Sequence, residues 1–217
     1  APAPMLEFAR LIEQAGFPKG VVSVLTGDAE NCAIPLTRHP DVDRIAFTGG
    51  PDTARHVVRN SAENFAVTSL ELGGKSPILV FDDADLDAAI QGVMASKYRN
   101  SGQTCVCANR ILVQSGVYEA FTEKLIEAVE ALKVAPGTEE GASQGPLINT
   151  KALAKVESHV ADALSKGGTL LTGGKPHARG GTFYEPTVIG DVTSEMLVAG
   201  EETFGPLAPL FRFDTEE

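Results

Sequence analysis

The amino-acid sequence predicts an α/β protein in which helices cover a parallel β-sheet. Stretches with helical spacing of apolar residues alternate with short runs of β-branched and other apolar residues. Turns that contain glycine separate these stretches. The chain has 217 residues, of which 43% are hydrophobic, so it can bury a core of its own. Alternation of this kind favours parallel strands, which need a crossover such as a helix between them.

The chain before the glycine pair Gly73 and Gly74 begins with a helix. Apolar residues at helical spacing predict that helix from Leu6 to Ala15, just before a glycine. The elements predicted after it are a strand at Val21–Leu25, a short helix at Glu30–Thr37, a strand at Arg44–Phe47, a helix at Pro51–Ala62 and a strand at Ala66–Leu72. Because a glycine pair can act as a hinge, we predict one domain over residues 1–73 and a second over residues 74–217.

The same alternation restarts after the hinge. Carboxylates at the start of the helix that begins at Asp85 suit the positive N-terminal end of its dipole. The elements predicted here are strands at Pro77–Val80, Ile111–Val113 and Leu207–Phe213, and helices at Asp85–Tyr98, Val117–Leu132 and Thr150–Lys166.

Charge and hydropathy exclude several classes of function. The chain has 18 Lys and Arg against 29 Asp and Glu, a net charge of −11, which argues against nucleic-acid partners and anionic membrane surfaces. We found no apolar run close to the roughly 20 residues of a membrane span, and the N-terminus lacks a signal-peptide pattern. We therefore expect a cytoplasmic protein with no membrane contact.

One of the three cysteines lies where a nucleophile would be useful. Three cysteines are too few for a disulfide framework, and the four histidines lack metal-site spacing, so we predict free thiols and no metal. Cys105 ends a polar turn, Asn100–Cys105, where backbone N–H groups can face a bound oxyanion. The alternative is a small buried hydrophobic residue, and we keep that interpretation for Cys32, which lies in an apolar helical stretch.

A carboxylate provides the second chemical signal. Glu71 lies at the end of a predicted strand, flanked by Leu70 and Leu72. Desolvation by these neighbours would raise the pKa of Glu71 toward that of a general base. The alternative interpretation is a solvated acid at a strand end.

Four segments together resemble the signature sequences of the NAD(P)-dependent aldehyde dehydrogenase superfamily. They occur in the family's order and approximate spacing, and they are Phe47–Gly50, Leu70–Pro77, Gly102–Cys105 and Glu201–Pro206. The stretch from Ser96 to Arg110 is most similar to succinate-semialdehyde dehydrogenases. The resemblance implies an aldehyde dehydrogenase-like α/β fold. In it, residues 1–73 form the second half of a Rossmann-like cofactor domain, and residues 74–217 form most of an α/β catalytic domain.

The resemblance also implies roles for the two candidate catalytic residues. Cys105 would attack the aldehyde and form a thiohemiacetal, which loses hydride to the nicotinamide of NAD or NADP and becomes a thioester. Glu71 would activate the water that hydrolyses this thioester. Arg99 would bind a carboxylate at the far end of the substrate, and the alternative is a surface arginine that caps the helix C-terminus or pairs with a neighbouring acid. Cys107 would be a redox partner that forms a disulfide with Cys105, and the alternative interpretation is a buried packing thiol.

Cofactor contacts are implied in both domains. Glu202 would hold the hydroxyls of the nicotinamide ribose, and Phe204 would pack near the nicotinamide ring. The complete set of implied cofactor-binding residues is Thr48, Gly49, Gly50, Leu72, Glu202 and Phe204. The sequence departs from the family at Gly50, where a serine is usual, and at Ala54, where a glycine is usual, so the resemblance does not carry over the contacts to the pyrophosphate.

The activity implied by the resemblance is oxidation of succinic semialdehyde to succinate. A betaine-type or broad aliphatic aldehyde dehydrogenase is the alternative enzyme, and a noncatalytic fragment or engineered substrate domain is the alternative of another class. We expect a partial chain, because the family's oxyanion-hole Asn, adenosine-binding Lys and first βαβ half would precede residue 1. Alone it should be a poor enzyme, and the complete protein is expected to be a homo-oligomer.

Overall fold

A computed structural model describes residues 2–216, which divide between Leu72 and Gly73 into two compact units. This division falls one residue before the boundary expected from the glycine pair. Both units are of the α/β type, as the sequence predicts. None of the helices in the described residues is long and apolar enough to cross a bilayer.

The first unit is built on one parallel pair of strands. Strands β1 and β2 pair in register from Arg44 opposite Val67 to Gly49 opposite Leu72, and α3 is the crossover between them. A π-helical turn at Ala29–Ala33 precedes α2. The elements are α1 (Ala3–Gln14), α2 (Ile34–Arg38), β1 (Arg44–Gly49), α3 (Pro51–Ser61) and β2 (Val67–Leu72).

The predicted strand at Val21–Leu25 is wrong. These residues form no regular element in the structure, and each of them is exposed or only partly buried. An apolar run becomes a strand only when a neighbouring strand accepts its hydrogen bonds, and the only strands that pair in this unit are β1 and β2 within residues 2–72.

The second unit contains a mixed five-stranded sheet. The strands lie in the order β3-β4-β7-β6-β5, and all neighbouring pairs are parallel except β5 with β6. The elements are β3 (Pro77–Val80), α4 (Leu86–Val93), β4 (Arg110–Gln114), α5 (Tyr118–Glu130), α6 (Thr150–Ser165), β5 (Thr169–Thr172), β6 (Thr187–Gly190), α7 (Leu197–Gly200) and β7 (Leu207–Phe213). The expectation of a parallel sheet is therefore corrected at the β5 edge.

Large side chains fill the core between the helices and this sheet. Phe121 and Leu125 on the inner face of α5 are fully buried, as the predicted apolar stripe requires. The helix predicted to end at Tyr98 continues beyond α4 as a π-helical turn, Met94–Tyr98. Tyr98 is buried there, and its hydroxyl donates a hydrogen bond to the Thr187 carbonyl oxygen at 2.9 Å. This contact ties the chain just before Asn100 to strand β6.

Candidate active site

The candidate cofactor residues of the first unit lie at one end of its strand pair. Thr48 is opposite Glu71, and Gly49 is opposite Leu72, at the carboxyl ends of β1 and β2. Gly50 then precedes the first residue of α3. In open α/β sheets ligands bind outside the carboxyl ends of the strands, and a helix N-terminus there favours phosphate groups. The chain therefore brings Thr48, Gly49, Gly50 and Leu72 together where such a ligand would lie.

A groove of about 400 Å³ runs along α3 and β2. Apolar side chains form most of its surface, and two arginines stand on the helix side. The residues that line it are Pro51, Ala54, Arg55, Val58, Arg59, Leu70 and Leu72. An apolar groove beside a helix N-terminus is suited to a flat aromatic group that carries phosphates.

Glu71 is exposed at the end of β2. The leucines beside it in sequence alternate across the strand and do not cover its carboxylate. The desolvation expected from the sequence is therefore absent from this chain. An exposed carboxylate can reach a water molecule.

A left-handed turn presents Cys105 to solvent. Asn100, Ser101 and Gly102 have φ values of 51°, 55° and 70°, and Cys105 is exposed. Two consecutive non-glycine residues in this region cost about 1–2 kcal/mol each, so other contacts must hold the turn. The Ser101 hydroxyl donates to the Gly145 carbonyl oxygen at 3.0 Å. The Gln103 side-chain oxygen accepts the Ile148 N–H at 2.9 Å. We call residues 100–105 the nucleophile turn.

The nucleophile turn packs against residues 201–206, which we call the clamp loop. A Cβ atom at Gly102 would overlap the backbone carbonyl of Gly205, so the two segments approach as closely as backbones can. Gly205 is restricted in turn, because a Cβ there would overlap Val156 of α6. Glycine is therefore favoured at Gly102 by the close approach of two backbones and at Gly205 by the buried side chain of Val156.

Glu202 of the clamp loop faces the glycine pair. Its Oε1 accepts a hydrogen bond from the Gly74 N–H at 3.2 Å. A Cβ atom at Gly73 would overlap the Glu202 carboxylate, and one at Gly74 would lie 3.7 Å from the Cys105 carbonyl oxygen. The glycine pair, the nucleophile turn and Glu202 thus converge in the second unit. Phe204 of the same loop is 40% exposed, so its ring is open to a ligand.

A buried polar cluster lies beside these segments, and sequence reasoning missed it. It consists of the buried residues Lys97, Cys107, Asn109 and Thr203 and the partly buried Lys75, and of these only Cys107 was a candidate from the sequence. Lys97 is fully buried, and its Nζ lies 3.7 Å from the Sγ of Cys107. Burial lowers the pKa of Lys97. Burial, together with the positive charge of Lys97, lowers the pKa of Lys75 to about 7.

The signal for this cluster was only partly present in the sequence. A lysine is expected at the surface, and nothing around Lys97 marks it as buried. Asn109 lies four residues after Cys105 and Lys75 follows Gly74 directly, so closeness to the recognised motifs was the only available indication.

Arg99 lies at the start of the nucleophile turn. Its side chain is exposed, and among residues 2–216 no carboxylate or carbonyl forms an ion pair or hydrogen bond with it. Cys107, in contrast, is buried and faces Lys97 and Asn109. Within the described residues, no three His, Cys, Asp or Glu side chains converge as metal ligands would.

The α/β fold of the two units and the four sequence motifs together define a family. The chain belongs to the aldehyde dehydrogenase family, whose sequence model matches residues 1–217. The predicted resemblance and the α/β class are thereby confirmed. Its curated relatives include a glutarate-semialdehyde dehydrogenase of Pseudomonas aeruginosa, 55% identical over 99% of this chain and 44% of that protein. A 3-sulfolactaldehyde dehydrogenase of Pseudomonas putida is 53% identical over 100% of this chain and 44% of that protein.

Further relatives support the same family. The NADP-dependent succinate-semialdehyde dehydrogenase of Escherichia coli is 52% identical over 99% of this chain and 45% of that protein. The crystal structure of a succinate-semialdehyde dehydrogenase from Burkholderia pseudomallei superposes with a TM-score of 0.95 at 56% identity, over 97% of this chain and 44% of that chain. A double mutant of betaine aldehyde dehydrogenase from Staphylococcus aureus, in complex with NAD+, gives a TM-score of 0.93 at 36% identity. The match covers 100% of this chain and 44% of that chain. The chain spans less than half the length of these relatives.

Proposed function

We propose that the whole protein oxidises an aldehyde to a carboxylic acid with NAD or NADP. The observation that carries this proposal is the exposed thiol of Cys105 on a left-handed turn, packed against the loop whose Glu202 is bound at the glycine pair. This arrangement combines a nucleophile with a positioned carboxylate that can accept hydrogen bonds from the ribose hydroxyls of a cofactor. Two names among the relatives, one with NADP and one with NAD+, support a nicotinamide cofactor.

The residues present fit such a cofactor. The carboxylate of Glu202 uses Oε1 for the Gly74 N–H, and Oε2 remains available as an acceptor for ribose hydroxyls. In the first unit, the Gly49–Gly50 turn leads into the N-terminus of α3 beside an apolar groove. Bound NAD or NADP would supply the hydride acceptor. Glu202 and Phe204 would orient its nicotinamide end, and Thr48, Gly49, Gly50 and Leu72 would contact the remainder.

Cys105 would perform the covalent chemistry. Its thiolate adds to the aldehyde carbon, and the C=O electron pair moves to oxygen to give a thiohemiacetal alkoxide. When the alkoxide re-forms the C=O bond, hydride leaves the same carbon and a thioester remains. Hydrolysis then requires a water molecule to lose a proton as it attacks the thioester. We propose that the Glu71 carboxylate accepts this proton. The acid is released with Cys105 regenerated.

We further propose that the substrate is an aldehyde with an anionic far end, with succinic semialdehyde as the first candidate. The free guanidinium of Arg99 supports this class, because its planar fork binds a carboxylate through two hydrogen bonds. Three relatives are named for semialdehydes or for a sulfonated aldehyde, all of which carry an anionic group. Glutaric semialdehyde is the second candidate, because one of these relatives, at 55% identity, is named for it.

The substrate class can be tested directly on the whole protein. Steady-state kinetics would compare succinic semialdehyde, glutaric semialdehyde, butyraldehyde and betaine aldehyde, each with NAD and with NADP. We expect the two semialdehydes to give the highest kcat/KM. A preference for betaine aldehyde or butyraldehyde would favour the betaine-type or broad aliphatic alternative, and binding of neither cofactor would favour a noncatalytic domain.

Two variants test the catalytic assignments. Cys105→Ala should abolish aldehyde oxidation. Glu71→Gln should keep a rapid burst of reduced cofactor but slow turnover, because formation of the thioester does not need the base. Loss of the burst in a Glu71→Gln protein that still binds cofactor would contradict the role of Glu71 in hydrolysis.

A further inference from the structure

We propose that Asn109 is a positioning residue that fixes the glycine pair, the nucleophile turn and the clamp loop relative to one another. The inference rests on the proposed function of Cys105 and Glu202. Asn109 lies just before β4 and is fully buried. Its side chain has a carbonyl end and an amide end, and each end contacts different segments.

The carbonyl oxygen joins two of the three segments. Oδ1 accepts the Thr203 N–H at 2.8 Å and the Nζ of Lys75 at 3.2 Å. Thr203 directly follows Glu202, and Lys75 directly follows Gly74, whose N–H binds Glu202. A single oxygen atom therefore binds the residue on each side of the Gly74–Glu202 contact, through the backbone N–H at Thr203 and through the side-chain ammonium at Lys75.

The amide end holds the third segment. Nδ2 donates a hydrogen bond to the Sγ of Cys107 at 3.2 Å. That sulfur also lies 3.5 Å from the Gly102 carbonyl oxygen, as a donor to it. Gly102 and Cys107 flank Cys105 in sequence. The hydrogen bonds of the Cys107 sulfur to Asn109 and Gly102 therefore support the nucleophile turn from its buried side.

The chemistry of asparagine suits this position. Lys75 and Lys97 are both near it, and the Thr203 N–H is a buried donor that must be paired. A neutral amide can accept from both donors and still donate to the thiol. An apolar residue of the same size would leave the donors unpaired, which is more costly than replacing both partners. Cofactor affinity and Cys105 reactivity should therefore both depend on Asn109.

The test compares variants of the whole protein by measurements that do not require turnover. Fluorescence titration gives the Kd of NADP and of NAD, and the rate of Cys105 alkylation by iodoacetamide is followed by mass spectrometry. Asn109→Ala should raise the Kd of the preferred cofactor about 10-fold, because the backbone beside Glu202 loses its acceptor. Alkylation should become at least about fivefold faster, because the nucleophile turn is freed.

Asn109→Asp separates positioning from simple stability. Aspartate keeps the acceptor for Thr203 and Lys75 but cannot donate to Cys107. The cofactor Kd should therefore stay within about threefold of the wild-type value, whereas alkylation should still be accelerated. Asn64→Ala is the matched control, because Asn64 also uses both ends of its side chain, with 2.7 Å to the His39 carbonyl oxygen and 3.2 Å to the Ala66 N–H. It should change neither readout.

Three results would overturn the proposal. The first is that Asn109→Ala keeps the wild-type Kd and alkylation rate. The second is that Asn64→Ala weakens cofactor binding and speeds alkylation as much as Asn109→Ala does. The third is an Asn109→Asp protein that binds cofactor as weakly as Asn109→Ala. If the alanine variant does not fold, Asn109→Ser replaces it, since serine is too short to reach both donors. If the wild-type protein binds no cofactor, the proposed function fails, and the alkylation rates alone decide the role of Asn109.

Discussion

The carboxylate of Glu202 accepts a hydrogen bond from the backbone N–H of Gly74, with 3.2 Å between Oε1 and N, although the two residues are 128 positions apart in the chain. The neighbouring Gly73 leaves the space that this carboxylate occupies. Gly73→Ala should therefore displace the Glu202 side chain, which is flexible and can move without unfolding the chain. We expect the KM for cofactor to rise about 10-fold with a small change in Tm.

Gly92→Ala is the matched control for this change. An added Cβ there meets nothing within 4 Å, and the residue lies in α4, where alanine is the better helix former. A Gly73→Ala protein with the cofactor KM of the control would contradict the predicted displacement of Glu202.

Gly102→Ala should act on stability. Gly102 has φ +70°, and a Cβ atom would overlap the Gly205 backbone, which cannot move as a side chain can. We expect a loss of more than about 2 kcal/mol in the free energy of unfolding, measured by urea denaturation. Gly137→Ala, at an open position with nothing within 4 Å of the added Cβ, should change it little. Equal stability of the two variants would show that the turn can be rebuilt.

Arg99→Ala should discriminate between substrates. A charge-assisted contact contributes roughly 1.5–3 kcal/mol, so kcat/KM for succinic semialdehyde should fall about 10- to 150-fold. Butyraldehyde lacks the carboxylate and should be almost unaffected. Kinetics with both aldehydes on the whole protein provide the measurement. Equal losses on the two aldehydes would show a structural role for Arg99 and would favour a broad aldehyde dehydrogenase.

Oxidation by hydrogen peroxide should join Cys107 to Cys105. Two thiols and one peroxide give one disulfide and two water molecules. Because Cys107 is buried and faces Lys97, the segment between the cysteines must turn first, and inactivation should be slow. Dithiothreitol should restore activity in the wild type but not in Cys107→Ala, and peptide masses should reveal the disulfide. Equal recovery in both proteins would rule out this redox partner.

His159 should make the stability of the fold depend on pH. It is buried in α6, with Nδ1 2.7 Å from the Thr203 hydroxyl and Nε2 3.4 Å from Glu201, which also pairs with Lys155. Burial lowers the pKa of His159 in the folded state, although Glu201 partly opposes this. The unfolded chain then binds the proton more readily, so the free energy of unfolding should decrease as pH falls through about 6.5.

Urea denaturation between about pH 7.5 and 5.5 would measure this dependence. His159→Gln should flatten it, whereas His56→Gln, at an exposed position on α3, should keep the wild-type slope. An unchanged slope in His159→Gln would assign the dependence to another group.

Local patterns in the sequence were sufficient for the elements that carry their own signal. The strands at Pro77–Val80 and Leu207–Phe213 have the predicted bounds, because each is a compact apolar run between turn signals. Strands β5 and β6 have the same length as β3 but were not predicted, because their pairing with each other and with β7 makes them strands. The failure at Val21–Leu25 has the same cause, since its strand pattern finds no partner among residues 2–72.

The candidate site divides in a similar way. Cys105 and Glu202 were recognised because they belong to sequence motifs. Lys97 and Asn109 were not, since their importance comes from burial and from contacts between distant segments, such as Asn109 with Thr203. The left-handed conformation of Asn100 and Ser101 was not predicted either. Only the third residue of this run, Gly102, is a type that favours positive φ.

The contact between Asn109 and Thr203 also sets an order of events during synthesis. The two residues are 94 positions apart, so a nascent chain that has just produced Asn109 has the acceptor but not yet the Thr203 N–H of the clamp loop that binds it. Long-range contacts of this kind form late in folding, because closing the chain between distant residues costs conformational entropy before the contact stabilises the fold. Until translation passes Gly205, the thiol of Cys105 stands on a turn without its packing partner, and a ribosome stalled in that interval would display a reactive cysteine with no means of turnover.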